Sequence, residues 1–283
     1  MAAFVGGFAA PVASTQVNGA RLFSASKNVA CFTARLRRVH ASRGTVSMHG
    51  PSANASSSSS SAAAAERRPG SHKGFVEEMR FVAMRLHTKD QAPREGQMEE
   101  AALPIQEWRP RKEDYLQFLV DSKAVYDFME ARMADADAAW LHEFTSTGLE
   151  RGAALDKDIQ WFRMLDFDVP PPTPAATKYI AYLQELVRDK PNAFLCHWYN
   201  YYFAHSAGGR MIGRMMSNLL FEGKEFEFYA WEKDVKEILG EVREKIDRVA
   251  SDWPRDVKDE CLNETSLAFA YSGTVLSNLA KAS

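Results

Sequence analysis

The stretch FAHSAGGRMIG, residues 203–213, places three glycines in the middle of a segment that otherwise reads as one long buried helix. The residues before it, NAFLCHWYNYYF, and after it, RMMSNLL, are mostly apolar and contain no proline. Each glycine in a helix interior costs about 1 kcal/mol relative to alanine. Two interpretations of Gly208, Gly209 and Gly213 are open. The small residues allow close packing of two helices, or they let a kinked helix backbone approach a flat ligand.

Composition limits the class of protein. The chain has 283 residues, of which 46% are hydrophobic and 25% charged, which suits one or two globular domains. No apolar run reaches the roughly 18 residues expected of a membrane span, so we expect a soluble protein without a membrane segment. The three cysteines, Cys31, Cys196 and Cys261, have no metal-binding spacing, and we expect the last two to be buried free thiols in a reducing compartment.

The N-terminal region differs in charge from the rest of the chain. Residues 1–50 contain six Lys and Arg and no Asp or Glu, whereas the remaining residues carry a net charge of −8, which does not favour nucleic-acid binding. Residues 1–41 therefore have the composition of an organelle transit peptide, and abundant Ser with moderate Arg favours a plastid over a mitochondrion. The alternative is a basic tail that is not removed. Residues 42–73, which include SANASSSSSSAAAA, are predicted to be a disordered linker.

From residue 74 onward the hydrophobic pattern is helical throughout. Apolar residues recur every three or four positions in GFVEEMRFVAMRLH, DYLQFLVDSKAVYDFME, GLERGAALDKDIQWF and KYIAYLQELVRD. PPPTP, residues 170–174, is predicted to be a stiff connector between helices. We therefore predict one all-α domain of seven or eight helices over residues 74–281.

Histidines are the first residues to consider for chemistry. His142 lies in an ordinary polar setting and His197 in an apolar segment, so we expect a surface residue and a hydrogen-bonded core residue, respectively. His87 lies near a helix end that is followed by TKDQA and Pro93. A histidine there is either a surface or capping residue or the proximal ligand of a haem iron.

A planar cofactor between the helix bearing His87 and the glycine-containing helix would explain both features at once. Haem carries two propionates that need cationic or hydroxyl partners, and Arg80 and Tyr199 lie at suitable positions along their helices. Other chemistries lack their motifs, because the chain has no ExxH pair, no HExxH, no GxSxG and no Walker loop.

Five stretches together resemble the haem oxygenases of plant plastids: FVEEMRFVAMRLHTKDQAPREG, YLQFLVDSKAVYD, TGLERGAALDKDIQWF, YIAYLQEL and FLCHWYNYYFAHSAGGRMIGR. The resemblance covers essentially all of residues 74–280. It implies a single-domain helical fold with haem between a proximal and a distal helix. It also implies the reaction, which is oxidative opening of haem at a meso carbon, the α carbon being expected, to biliverdin, carbon monoxide and ferrous iron.

The resemblance further implies roles for individual residues. His87 matches the proximal iron ligand, and Gly208 and Gly209 match the distal glycines over the haem face. Arg80, Tyr199 and, through a weaker match in VREKID, Arg243 match positions that meet the propionates; these six residues and His205 form the predicted site.

Two departures and several partners complete the expectation. His205 stands where animal and bacterial relatives have an acidic residue that anchors distal water, next to Ala204 in place of a glycine; it either serves the same network or only packs.

Ferredoxin is the implied electron donor, a bilin reductase the downstream partner, the chloroplast stroma the location and a monomer the expected state. The plant family includes divergent members that lack the proximal histidine and bind tetrapyrroles without turnover. A non-catalytic haem- or tetrapyrrole-binding protein is therefore the alternative, against which His87 argues.

Overall fold

A computed structural model describes residues 73–91 and 105–281, with residues 87–91 described by their backbone only. These residues form α-helices and short helical turns, and no strand occurs among them, which confirms the all-α prediction. The helices are α1 (Phe75–Gln91), α2 (Lys112–Asp135), α3 (Gly152–Met164), α4 (Pro174–Asp189), α5 (Pro191–Ala204), α6 (Arg210–Leu220), α7 (Val235–Val249), α8 (Arg255–Asn263) and α9 (Thr265–Leu276). None of the described helices is both long and apolar enough to cross a membrane.

The described part of the chain contains nine α-helices where the sequence predicted seven or eight. Two segments are divided: the stretch around residues 203–213, and the last segment of the chain, for which the sequence predicts one helix from about Val257 to Leu279. A π-helical turn, His205–Gly209, separates α5 from α6, and Glu264 separates α8 from α9. The predicted transit peptide, residues 1–41, and almost all of the predicted linker, residues 42–73, lie outside the described residues.

Helix α5 is the centre of the domain. Residues 193–200 are all buried, and α5 packs against α4, α8 and α9. A helix that is apolar on every side must be surrounded by other elements to remove its surface from water. Helix α2 packs on α3 and α4, and α1 packs on α7, α8 and α9, so that α5 and the π-turn at its end are held from several sides.

The proline-rich connector before α4 is anchored by a buried carboxylate. Pro174 occupies the first turn of α4, as proline favours. Asp121 on α2 accepts hydrogen bonds from the Thr173 backbone N–H (2.7 Å) and hydroxyl (2.5 Å), and from the Asn278 side chain (2.9 Å). One buried acid therefore ties the connector and the C-terminal segment to α2. Residues 170–173 are confirmed as a non-helical link between α3 and α4, whereas Pro174 already belongs to α4.

The expected core residues are buried and have partners. His197 is fully buried and hydrogen-bonds Tyr179 (3.0 Å) and Glu264 (3.2 Å), which confirms a satisfied core histidine. Cys196 and Cys261 are buried free thiols, as predicted. His142 is exposed, with its Nε2 3.0 Å from the carbonyl of Ala136.

Candidate functional site: the glycine-rich turn and its surroundings

The glycine-rich stretch forms a π-helical turn within an otherwise regular helix. Ala204, Gly209 and Arg210 keep right-handed helical dihedrals, so α5, the turn His205–Gly209 and α6 run on from one another. A π-turn contains one extra residue in its hydrogen-bonded ring, and such turns are frequent at functional sites. The predicted local irregularity at the glycine pair is therefore present as a π-turn.

The three glycines have three different surroundings. A Cβ atom at Gly208 would have no heavy atom within 4 Å, so this side of the turn is open. A Cβ at Gly209 would lie 3.0 Å from Nδ1 of His205, and a Cβ at Gly213 would lie 2.3 Å from the Tyr229 ring. Close packing thus explains Gly213, the turn itself restricts Gly209, and Gly208 leaves a bare backbone facing open space.

His205 is buried in an aromatic cage and is held as a neutral imidazole. Its ring stacks on Phe228, with centroids 4.0 Å apart, and lies 5.9 Å from the ring of Tyr126. Nε2 lies 2.8 Å from the Phe228 carbonyl and must donate to it, which leaves Nδ1 without a proton on the side of Gly209. Burial lowers the pKa of His205 to about 3, so the ring is uncharged at neutral pH.

A buried acid on α3 holds the other side of Phe228. Asp158 accepts hydrogen bonds from the backbone N–H groups of Glu227 (2.9 Å) and Phe228 (2.8 Å). Burial raises the pKa of Asp158 to about 6, against the effect of these two hydrogen bonds. Asp158 and His205 therefore bind the N–H and the C=O of one residue. Sequence reasoning missed Asp158, although an acid on the apolar face of a predicted helix was a usable signal.

The three predicted propionate-contact residues come together from three helices. Arg80 on α1 is half exposed and pairs with Glu77 through Nη2 at 3.0 Å. The Arg243 guanidinium on α7 lies over the Phe203 ring, 5.2 Å from its centroid. The centroid of the Phe203 ring is in turn 4.3 Å from that of Tyr199.

Charge interactions link these residues more closely. Burial raises the pKa of Tyr199, and the positive charges of Arg243 and Arg80 partly oppose this effect. The pKa of Glu77 is lowered, chiefly by its hydrogen bond with Arg80, with a smaller contribution from Arg243. Glu77 is thus a member of this cluster that the sequence reasoning missed, and it neutralises part of the positive charge.

His87 lies in α1, two helical turns after Arg80 and four residues before the helix ends at Gln91. Its side chain is outside the part of the chain that the structure describes, so its assignment as a ligand stays a prediction. The same helix exposes two apolar side chains, Phe81 (38%) and Met84 (52%), and α6 exposes Met211 (63%).

Two grooves flank α6. One has a volume of about 650 Å³ and the other about 410 Å³, and both are lined by Arg210, Arg214 and Asn218. The smaller groove also includes Lys224, whose ammonium lies 4.6 Å from the Trp161 ring centroid. Among the described residues no ion pair joins Arg214 to a carboxylate. Three basic side chains therefore line the two grooves beside α6, against one acidic side chain, Glu225.

Comparisons with known proteins agree on one family. The haem oxygenase family model matches residues 83–278. Heme oxygenase 1, chloroplastic, from Arabidopsis thaliana is 50% identical over 214 residues, which cover 75% of this chain and 76% of the relative. "Probable inactive heme oxygenase 2, chloroplastic", from the same plant, is 37% identical over 243 residues, or 80% of this chain and 81% of the relative.

The fold has solved counterparts. The crystal structure of heme oxygenase-1 from the cyanobacterium Synechocystis in complex with heme has a TM-score of 0.57 and 18% identity, covering 73% of this chain and 92% of that one. At this identity the likeness concerns the fold alone. The family model and the close plant relatives, however, cover most of the chain, and the chain therefore belongs to the haem oxygenase family.

Proposed function

We propose that this protein is a chloroplast haem oxygenase that opens haem at the α-meso carbon to biliverdin, carbon monoxide and ferrous iron, using oxygen and electrons from ferredoxin. The observation that carries the proposal is the π-turn at His205–Gly209, in which Gly208 presents backbone alone to open space. This turn lies in a chain of the haem oxygenase family that retains His87 on α1.

The described residues fit a large flat ligand. A macrocycle can approach the helix backbone at Gly208 because no atom lies within 4 Å of a Cβ built there. The exposed Phe81, Met84 and Met211 supply apolar surface on α1 and α6.

The propionates would be held at the junction of α1, α5 and α7. Arg80 and Arg243 supply positive charge, and Tyr199 supplies a hydroxyl group whose pKa both arginines influence. Because Arg80 is paired with Glu77 in this structure, a propionate would compete with Glu77 for the guanidinium. Charge-assisted hydrogen bonds of this kind fix orientation, and orientation decides which meso edge lies beneath Gly208.

The remaining roles follow from the state of each side chain. Haem is the substrate, and when held by the imidazole of His87 it also supplies the oxygen-activating iron. His205 is neutral and its Nε2 proton is committed to Phe228, so it does not act as a cationic acid above the π-turn. Its unprotonated Nδ1, beside Gly209, can accept a hydrogen bond from distal water.

Ferredoxin would approach the basic face of the distal helix. The chain after residue 50 has a net charge of −8, so an acidic donor protein is repelled overall and depends on a local positive field. Arg210, Arg214 and Lys224 provide that field along the two grooves. Arg85 and Arg243 are further positive residues on α1 and α7.

The cellular location and the domain organisation of the protein are inferred from its relatives and from its N-terminal composition. Relatives named chloroplastic and the acid-free residues 1–50 support import into the plastid, with residues 1–41 as the transit peptide and 42–73 as a linker to the catalytic domain, 74–281. The enzyme would act as a monomer and pass biliverdin to a bilin reductase.

The experiment is turnover of the purified protein with haem, ferredoxin, its reductase, NADPH and oxygen. We expect the Soret band to disappear while the absorbance of biliverdin appears. The alternative function, a non-catalytic haem- or tetrapyrrole-binding protein of the same fold, would give stable haem binding without bilin. Replacing ferredoxin by an equal concentration of a neutral small reductant tests the identity of the donor separately from the reaction.

A further inference from the structure

A buried tyrosine, a buried histidine and a partly exposed glutamate form a hydrogen-bonded row that the proposed haem reaction does not use. The Tyr179 hydroxyl lies 3.0 Å from Nδ1 of His197, and Nε2 of His197 lies 3.2 Å from Oε2 of Glu264. Tyr179 and His197 are both fully buried. Three side chains on α4, α5 and the α8–α9 junction are thus aligned in one row.

The direction of the hydrogen bonds in this row is determined by its acidic end. The pKa of Glu264 is lowered because hydrogen bonds from His197 and Tyr182 outweigh the effect of burial, so Glu264 is a carboxylate that can only accept. His197 must therefore donate from Nε2, which leaves Nδ1 to accept the proton of Tyr179. Burial raises the pKa of Tyr179 well above its usual value, so the phenol does not lose its proton by simple ionisation.

Tyr179 is also the midpoint of a row of aromatic rings that leads to the surface. Its ring stacks on Tyr271 with centroids 4.9 Å apart and an interplanar angle of 5°. Tyr271 stacks in turn on Tyr182 at 5.0 Å and 21°, and both of these residues are partly exposed. The Tyr182 hydroxyl donates to Glu264 at 2.8 Å, so the outer end of the row meets the same carboxylate.

In the other direction the row reaches the distal helix. The Tyr179 ring lies 5.9 Å from that of Tyr201 on α5, and Tyr201 lies 4.9 Å from Tyr126. The ring centroids of Tyr126 and His205, which lies in the π-turn, are 5.9 Å apart. Tyr201 itself precedes Ala204 by one helical turn. Each step joins neighbouring rings, so an electron vacancy can move between the distal pocket and the surface in short steps.

From this geometry we infer that Tyr179 is a redox-active residue with His197 as its proton acceptor. It would take an oxidising equivalent from the haem side and pass it outward through Tyr271 and Tyr182. The oxidant is haem that has reacted with peroxide, so this part of the inference rests on the proposed function. The final reductant is an external one-electron donor such as ascorbate.

The step balances in electrons and protons. Tyr179 gives one electron to the oxidant, its O–H bond breaks, and the proton moves to Nδ1 of His197. The product is a neutral phenoxyl radical beside an imidazolium whose charge is compensated by Glu264. An electron arriving from Tyr271 restores Tyr179, and the proton returns from His197 to the phenoxyl oxygen.

The first experiment uses the haem-loaded protein mixed with hydrogen peroxide and frozen for electron paramagnetic resonance. We expect a tyrosyl radical with one exchangeable proton hydrogen-bonded to the phenoxyl oxygen, seen by double resonance after transfer to D₂O. Tyr179→Phe should lose this signal. Tyr115→Phe is the matched control, because Tyr115 is equally buried but its ring packs on Phe221 and Phe226 and its hydroxyl meets Tyr229 instead of a histidine. An unchanged radical in Tyr179→Phe, or a wild-type radical without that exchangeable proton, would overturn the inference.

A second experiment separates this inference from the proposed function. Haem-free protein is oxidised by a laser-generated ruthenium(III) trisbipyridine complex, and the radical is trapped in the same way. A Tyr179 radical in this case supports the redox role even if haem does not bind. The exchangeable proton is measured in wild-type protein, so this measurement remains valid even if Tyr179→Phe does not fold. In either preparation, a radical confined to other tyrosines would contradict the redox role of Tyr179.

Discussion

Replacing Gly208 by alanine should make the haem-free protein more stable and the enzyme slower. The helix interior gains about 1 kcal/mol when alanine replaces glycine, and at Gly208 no atom lies within 4 Å of the new Cβ to oppose the gain. For a domain of this size, about 1 kcal/mol corresponds to a rise of roughly 2–4 °C in the melting temperature. The added methyl group occupies the open side of the π-turn, where the substrate is proposed to approach.

The other two glycines should behave differently for reasons visible in the structure. Gly213→Ala brings a Cβ to 2.3 Å from the Tyr229 ring, and overpacking of this kind typically destabilises by about 1–3 kcal/mol. Gly209→Ala meets Nδ1 of His205 at 3.0 Å, and that ring is held by Phe228, so the helix-propensity gain should be lost.

The assay is urea unfolding of the haem-free variants together with ferredoxin-driven bilin formation. Gly208→Leu should bind haem but form bilin more slowly by on the order of 100-fold, because displacement by about 1 Å is enough for such a loss. Gly273→Ala is the control; it is an exposed helical glycine on α9 with nothing within 4 Å of its Cβ, and it should be stabilised without loss of turnover. Normal turnover in Gly208→Leu, or destabilisation by Gly208→Ala, would refute the reasoning.

Three further predictions concern the ligand, the buried histidine and the donor. His87→Ala should retain its circular dichroism but lose bilin formation and the imidazole-ligated haem spectrum, and full activity without added imidazole would remove the ligand assignment. The pKa of His205 is about 3 in the folded protein and 6.5 in the unfolded protein. The stability gained by burying the neutral ring is therefore complete above pH 6.5, and it falls as the pH drops toward 3 because the unfolded chain binds a proton. Between pH 6.5 and 5 the wild-type protein should lose about 1.5 kcal/mol more free energy of unfolding than His205→Gln. Comparing the two proteins cancels the opposite contribution of Asp158, which both contain. Equal losses would contradict a buried neutral ring. Arg214→Glu should raise the ferredoxin concentration that gives the half-maximal rate. It should also weaken the dependence of that concentration on salt between 0.01 and 0.1 M, where the Debye length falls from about 30 to 10 Å. Lys123→Glu, on α2, should have neither effect, and equal effects of the two changes would disprove the proposed docking face.

Local chemistry along the chain was sufficient for the fold class, and it singled out the glycine-rich stretch as a candidate site. The helical repeat of apolar residues predicted an all-α domain because a 3.6-residue period brings those residues to one face of each helix. The glycine-rich stretch marked an irregularity in a long helix because glycine in a helix interior is unfavourable. His197 could be assigned to the core from its apolar neighbours alone.

Tertiary structure was needed wherever a residue's role depends on elements distant in sequence. Whether a glycine faces a ring or open space depends on which segment packs opposite it, so Gly213 and Gly208 could not be told apart until Tyr229 was placed against the helix. The neutral state of His205 follows from its burial, and a carbonyl 23 residues away decides which ring nitrogen carries the proton. The row that joins Tyr179 to His197 and Glu264 spans three segments, which only packing around α5 brings within hydrogen-bonding distance.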